Sequence, residues 1–357
     1  MNNSKKTIRG PQKAKKTVIT TNRRLWLIPS IILGVLLIAG LLFDQLYERV
    51  LITIDDEKYH QSDLNYYFFA MESTYSTYAQ LFGWDMPYDE ENGYTLGDVA
   101  KQEALRTALE KEVLYREAIE AGYSLTTEEN DMIADDIASM LSGIPADTIK
   151  KNGFTNKYLT DVLGTIVLAD RYRADIIDTL DIDDEAIAEE IIYDDYRQYD
   201  IEYLFISTET TDESGNTVAM NEEEKAAAYE KLAAIYDKAL TTEDWSALLP
   251  EDEEELAYSS SNFTKISDTY SEDMETMMMT MENGAVSEIY EEEDGYYIVK
   301  MVNNNSTVSY DTAVKNAVTA EENTAFNTYF DENILNKHTI KLHERAIRAL
   351  KMGSITL

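Results

Sequence analysis

The 357-residue chain contains no cysteine, which excludes structural disulfides, thiol nucleophiles and a lipid-modified cysteine anchor. Its first 24 residues contain no acid, while Lys5, Lys6, Arg9, Lys13, Lys15, Lys16, Arg23 and Arg24 supply cations. Leu25 to Phe43 then lacks charge of either sign over nineteen residues. At about 1.5 Å per helical residue such a run reaches roughly 28 Å, close to the ~30 Å hydrocarbon core of a bilayer. The basic flank sets the N-terminus on the cytoplasmic side. The run leaves through Leu41-Leu42-Phe43-Asp44 with no small-x-small pair, so it reads as an uncleaved anchor rather than a secretory signal. The expectation is a single-pass cell-membrane protein: cytoplasmic tail 1–24, transmembrane anchor 25–43, and the bulk extracytoplasmic.

Beyond the run, 23 Lys and Arg stand against 68 Asp and Glu, a net charge of −45. A surface of that sign repels nucleic acid and anionic lipid, so no nucleic-acid partner is expected. Acidic runs such as Glu251 to Glu255 read as solvated faces, because no D-x-D-x-D-G loop with a glutamate at its twelfth position accompanies them. The chain also lacks G-x-S-x-G, H-E-x-x-H, Walker and G-x-G-x-x-G patterns and any metal-ligand cluster, so neither metal nor cofactor is expected. Tyrosine, by contrast, is abundant at 25 residues.

Val50 to Ile54 reads as a strand, Asp55 to Lys58 as a turn, and Ser62-Asp63 as a helix start. Leu64, Phe68, Met71, Tyr75, Tyr78 and Phe82 recur at spacings of three and four, an amphipathic stripe. Gly83 to Gly97 is a loop. A helix from about Asp98 ends at Gly122, a C′ glycine, and Thr126 with Glu129 forms a capping box for the next. Further helices span Tyr158 to Leu180 and Asp183 to about Tyr196. From Tyr199 the pattern changes. Ile201 to Ile206 is β-like, Thr208 to Asn221 a polar loop, Glu222 to Ala239 a helix, and Trp245 with Leu248 a short helical piece. A methionine-dense helix, Met274 to Met281, ends at Asn283-Gly284, and strands Ala285 to Tyr290 and Gly295 to Val302 follow. Residues 308 to 335 are helical, and His338 to Leu342 forms a strand.

In this order the elements resemble the membrane-anchored and periplasmic foldases of the PrsA/SurA type. One part of the resemblance lies in Ile54-Asp-Asp-Glu-Lys-Tyr-His-Gln-Ser-Asp-Leu64 and in the helix Ala104 to Gly122. The other lies in Glu243-Asp-Trp-Ser-Ala-Leu248, Gly284-Ala-Val-Ser-Glu288 and Gly295-Tyr-Tyr-Ile-Val-Lys300. The resemblance implies an α+β fold: a mainly helical SurA-N-like chaperone domain, with a parvulin-like (PpiC-type) peptidyl-prolyl isomerase domain of β-α-α-α-β-β order inserted in it. The chaperone domain would comprise 50–196 and 308–350, and the insert 199–304.

The family places one histidine in the first strand of the insert and one in the last. The matching positions here are Tyr203 and Tyr297, and the chain's three histidines, His60, His338 and His343, all fall outside the insert. Tyrosines can hydrogen-bond each other or a substrate carbonyl, but with pKa near ~10 they shuttle no protons at neutral pH. Met274 matches the family's pocket-lining position and Met279 and Met281 a second pair. These are implied to grip substrate, since a thioether is flexible and polarizable. The competing reading is that both tyrosines are strand residues and the methionines core. On the first helix, Tyr66, Tyr67 and Tyr78 are expected to line a cradle for unfolded chains. The implied function is a membrane-anchored chaperone/foldase binding unfolded or nascent exported polypeptides, with an insert that has lost both family histidines. The alternatives are an active prolyl isomerase and an assembly factor for one envelope partner.

Overall fold

The computed structural model describes residues 49–89, 91–212, 214–249 and 255–356. The expected cytoplasmic tail and the expected anchor, Leu25 to Phe43, lie outside them. No helix among the described residues is long and apolar enough to cross a membrane.

The fold is mixed α+β and rich in helix. In chain order it runs β1 (Val50–Ile54), β2 (Glu57–His60), α1 (Gln61–Phe82), β3 (Pro87–Asp89), β4 (Tyr94–Thr95), α2 (Leu96–Glu120), α3 (Thr127–Gly143), α4 (Ala146–Asn152) and α5 (Asn156–Ile177). Next come α6 (Asp184–Glu190), α7 (Tyr193–Tyr196), β5 (Gln198–Ser207), β6 (Glu209–Thr211), β7 (Thr217–Ala219), α8 (Glu222–Ala239) and a 3-10 turn (Trp245–Leu248). The chain closes with β8 (Leu256–Thr264), α9 (Glu272–Met279), β9 (Tyr290–Glu291), β10 (Gly295–Ser306), α10 (Val308–Tyr329), β11 (Ile340–Leu342) and α11 (Glu344–Ala349). The described residues form two compact units: one runs up to Ala174 and resumes from Asp331, the other is Asp175–Phe330. The sequence reading divides the chain at 196/199 and 304/308 instead. The compact division differs because α10 packs on α6 and α7, which draws all three helices into the second unit.

In the first unit, local signals set the helix ends. Thr95 with Asp98 and Thr126 with Glu129 form capping boxes for α2 and α3. At the end of α2, Gly122 takes φ +87° while its N–H reaches Ile119 O and the Tyr123 N–H reaches Ala118 O, a Schellman closure. The turn after β1 is shorter than expected. Only Asp55 and Asp56 turn, and Glu57 already pairs with Ile54. Helix α2 buries Leu96 and then Ala100, Ala104 and Ala108, small side chains at four-residue spacing that let α1 pack closely. Against them α1 buries Leu64, Tyr67, Phe68 and, unexpectedly, Glu72.

Glu72 is fully buried at 0 % exposure, and the returning C-terminus surrounds its carboxylate. Oε1 accepts the N–H groups of Gly353 at 2.5 Å and Ile355 at 3.3 Å, and Oε2 accepts the Thr356 N–H at 2.9 Å and the Thr356 hydroxyl. A buried carboxylate is tolerated only when donors replace its water, and backbone N–H groups do so here. Asn152 Nδ2 donates to Thr356 O at 2.9 Å. Gly353 has φ +79°, and a Cβ there would lie 2.2 Å from Trp84 Nε1, so only glycine lets the indole cover the tail. The expected strand at His338 to Leu342 forms only over its last three residues as β11, which pairs antiparallel with β1 in a sheet of order β11-β1-β2. Asp55 locks this return. Its N–H donates to Thr339 O at 2.8 Å, and its Oδ1 accepts the Thr339 N–H at 2.8 Å. His338 bridges Asp55 Oδ2 at 2.9 Å and Glu117 Oε1 at 3.2 Å.

The second unit holds a four-stranded antiparallel sheet of order β8-β5-β10-β9. The expected strand Ala285 to Tyr290 is reduced to a bridge at Val286 and the two-residue β9. Strand β8, absent from the sequence reading, pairs with β5 from Gln198↔Thr264 to Ile206↔Leu256. Its Ser259-Ser260-Ser261 centre has no apolar alternation, so pairing with β5 rather than local propensity makes it a strand. The polar loops also carry two small ribbons, β3–β4 and β6–β7.

Two expectations follow for the first unit. Glu72→Ala strands several buried N–H donors, and its urea midpoint is expected to fall by the equivalent of about 2–4 kcal/mol. The second concerns acid. The hydrogen bond from His338, then that from the Thr339 N–H, hold the Asp55 carboxyl below its usual 3.8. A depressed carboxyl stabilises the fold above its unfolded value, and that contribution is lost as pH falls through the folded value. Urea midpoints measured against pH should therefore drop less steeply below about pH 4 in Asp55→Asn than in the parent.

Candidate functional site

Strands β5 and β10 are buried on both faces, and period-two alternation sorts their side chains. Leu204, Ile206, Tyr296 and Ile298 face α8 and the 3-10 turn, where they pack with Leu232, Ile235 and Trp245. Trp245 is fully buried, and its indole N–H donates to Ala239 O at 3.1 Å. The opposite face gathers Tyr199, Ile201, Phe263, Tyr297, Val299 and Met301 with Met274 and Met278 of α9. Around this cluster stand Tyr203, Phe205, Tyr270, Met277, Met279, Met281 and Tyr290, all only partly buried. That rim of partly buried aromatic and thioether side chains is the candidate site.

Tyr203 and Tyr297, the two strand tyrosines singled out in the sequence, meet there. Tyr203 lies opposite Val299 and Tyr297 opposite Phe205, so Tyr203 and Tyr297 are diagonal neighbours across the β5–β10 pair. Their ring centroids are 5.5 Å apart and tilted by 55°, and Phe205 sits 4.8 Å from Tyr297. They do not hydrogen-bond each other. The Tyr297 hydroxyl instead donates to Asp294 Oδ2 at 2.9 Å. Burial, and then the Asp294 carboxylate, push the Tyr297 phenol well above its usual 10, so it stays protonated at neutral pH. Asp294 was visible in sequence only as part of the acidic turn Glu291 to Asp294. Its role depends on the turn folding back over the start of β10.

The three methionines separate by burial. Met274 is fully enclosed and is core, as the competing reading has it, so it cannot itself touch a ligand. Ser271 caps α9 by accepting the Met274 N–H at 3.2 Å, and this seats the side chain under the sheet. Met279 and Met281 are half-exposed at the rim. Phe205, Tyr270 and Tyr290 join them. Sequence reading did not single these out, although Phe205 shares the parity of Tyr203 along β5 and could have been found by that signal.

In the first unit the expected cradle tyrosines do not form one surface. Tyr67 is only 3 % exposed and packs in the core, a correction that follows from the register of α1 against α2. Tyr66 is half-buried and meets Tyr67 edge-on at 5.8 Å, while its N–H donates to the Tyr158 hydroxyl at 2.9 Å. Tyr78 is 57 % exposed, beside Phe82 at 60 %. The predicted stripe therefore holds at Leu64 and Phe68 and fails at the end of α1, where Tyr78 and Phe82 point to solvent.

Residues 205–303 match the family of PPIC-type PPIase domains. Among solved structures the chain is similar to a SurA-like chaperone of Campylobacter jejuni, at 10% identity over 82% of this chain and 98% of that one, with a TM-score of 0.32. It is similar to PrsA from Bacillus subtilis at 14% identity, covering 65% of this chain and 85% of that one, TM-score 0.25. For the peptidylprolyl isomerase PrsA of Bacillus cereus the figures are 15% identity, 85% and 90% coverage, and a TM-score of 0.24. TM-scores of this size do not establish a shared overall architecture. No curated protein matches the chain. The matched stretch runs from the last residues of β5 through β10 and contains no histidine.

Proposed function

We propose that the chain is a membrane-anchored, extracytoplasmic foldase/chaperone of the PrsA/SurA type, which binds unfolded exported polypeptides. On this reading its PPIC-type domain has lost both family histidines and serves mainly as an apolar binding face. The observation that carries the reading is the half-exposed rim of tyrosine, phenylalanine and methionine on a PPIC-type sheet. Side chains of this kind give apolar contact without demanding one partner shape, as a holder of varied sequences requires. The charge-free run Leu25 to Phe43 supports the tether, and the acidic exported part keeps the protein itself from sticking to the membrane or to other copies.

Isomerisation of an X-Pro bond needs no covalent step, only a site that favours the twisted amide over the planar one across a barrier near ~20 kcal/mol. Tyr297 offers no free proton for this, because its hydroxyl is already committed to Asp294. The full chain is therefore expected to suppress aggregation of several unrelated unfolded proteins. It should accelerate proline-limited refolding, a process of tens to hundreds of seconds, by less than about twofold. A large acceleration returns the protein to the active isomerases. Failure to hold any of the unfolded proteins would falsify the chaperone reading and leave a dedicated assembly factor.

The methionines give a sharper test of where binding occurs. Met274→Ala empties a closed core position and should cost about 2–5 kcal/mol in urea unfolding. Met279→Ala and Met281→Ala, at the rim, should leave the urea midpoint nearly unchanged and reduce aggregation suppression.

A further inference from the structure

The exported part of the chain is overwhelmingly acidic, yet residues 337–351 carry Lys337, Lys341, Arg345, Arg348 and Lys351 against the single acid Glu344. This is the segment that returns to the first unit as β11 and α11. Between it and α2 lies a groove of about 650 Å³. Leu105 and Leu109 of α2 form one wall, and Leu342 and Ile347 of the returning segment form the other. Arg106, Arg348 and the acid Glu344 also line it, so its charged lining is two cations against one acid. The size falls within the roughly 300–1,000 Å³ of clefts that hold ligands.

The charge of Arg106, which lines the groove, is not absorbed by the protein: it is exposed and has no acidic partner among the described residues. Lys341 and Arg345, next in sequence to the lining residues Leu342 and Glu344, are likewise exposed without an acidic partner among the described residues. Arg348 meets only Glu344, at 3.5 Å and largely in solvent, a contact of little strength. In a chain with 68 carboxylates, one free and one weakly paired arginine lining an apolar cleft are complementary to an occupant that brings its own acid.

We infer that this groove binds an extended polypeptide segment whose apolar side chains enter between α2 and the returning C-terminus while flanking carboxylates meet Arg106 and Arg348. The inference rests on the chaperone reading and adds a preference to it: among exported chains, apolar segments next to Asp or Glu are held here. Segments flanked by Lys or Arg are not held in this groove.

The test uses the full chain and fluorescein-labelled peptides that share one apolar sequence and differ only in glutamate or lysine flanks. Fluorescence anisotropy should show the glutamate-flanked peptide binding about tenfold more tightly, with the difference shrinking as salt is raised. The double variant Arg106→Glu/Arg348→Glu should reverse the preference. If that variant does not fold by circular dichroism, Arg106→Gln, at an exposed helix position, should still reduce it. Equal affinity for the two peptides in the parent, or an unchanged preference in the variants, overturns the inference. So does equally tight binding of polyglutamate or of phosphatidylglycerol vesicles, since neither would fill the apolar walls. Aggregation suppression by the parent is measured alongside. Suppression without charge preference sinks this inference alone, whereas charge preference without suppression sinks the wider reading and leaves the groove as a site for one partner.

Discussion

A single buried carboxylate organises the first unit. Glu72 sits in the middle of α1, at a position where helical spacing calls for an apolar side chain, and its charge is met by Gly353, Ile355 and Thr356. An unpaired carboxylate at that depth would be prohibitively costly, so the helix packs well only when the C-terminus is in place. The bond between α1 and the tail spans most of the chain. With the pairing of β11 on β1 and the clamp of Asp55 on His338 and Thr339, it makes one unit from two distant segments. A discontinuous unit needs such long-range closures, because its contacts must offset the entropy of ordering a large intervening loop.

The inserted sheet is governed by a different constraint, its burial on both faces. Helix α8 and Trp245 cover one side, the methionine helix α9 the other. Two-sided burial explains why the first part of β10, Gly295 to Val302, reads as an apolar run broken only by Lys300 rather than a clean alternation. It also explains how Tyr203 and Tyr297 are accommodated in the sheet. Each ring packs against neighbouring aromatics, and the Tyr297 hydroxyl finds a carboxylate at the sheet's end. Packing of this kind retains an apolar rim without a group that titrates near neutral pH.

Charge is distributed unevenly. Most of the surface beyond the expected anchor is acidic, and the exception is the segment that returns across α2. That return therefore does two things at once: it completes the core through backbone hydrogen bonds and lays Arg348, only weakly paired with Glu344, along an apolar groove that Arg106 of α2 also lines. Structural closure and a charged surface are carried by neighbouring residues of one short stretch.

Local chemistry was enough to place many of the elements. The caps at Thr95 and Thr126, the C′ glycine at Gly122, the strand Val50 to Ile54 and the alternation in β5 and β10 are short-range patterns. The order of elements around Trp245, Gly284 and Gly295 likewise pointed to a PPIC-type insert, because those blocks are themselves local. What the sequence could not decide depended on partners far along the chain. Strand β8 exists through β5, the enclosure of Tyr67 and Met274 through the helix and sheet that cover them, and the exposure of Tyr78 through where α1 outruns its neighbours. The burial of Glu72 is the plainest case. In sequence it is one acid among 68, and only the arrival of Gly353 to Thr356 turns it from a surface charge into the centre of a core. Periodicity reports which face a residue occupies, whereas tertiary contact decides whether that face meets water, and the second is a long-range property that no local pattern encodes.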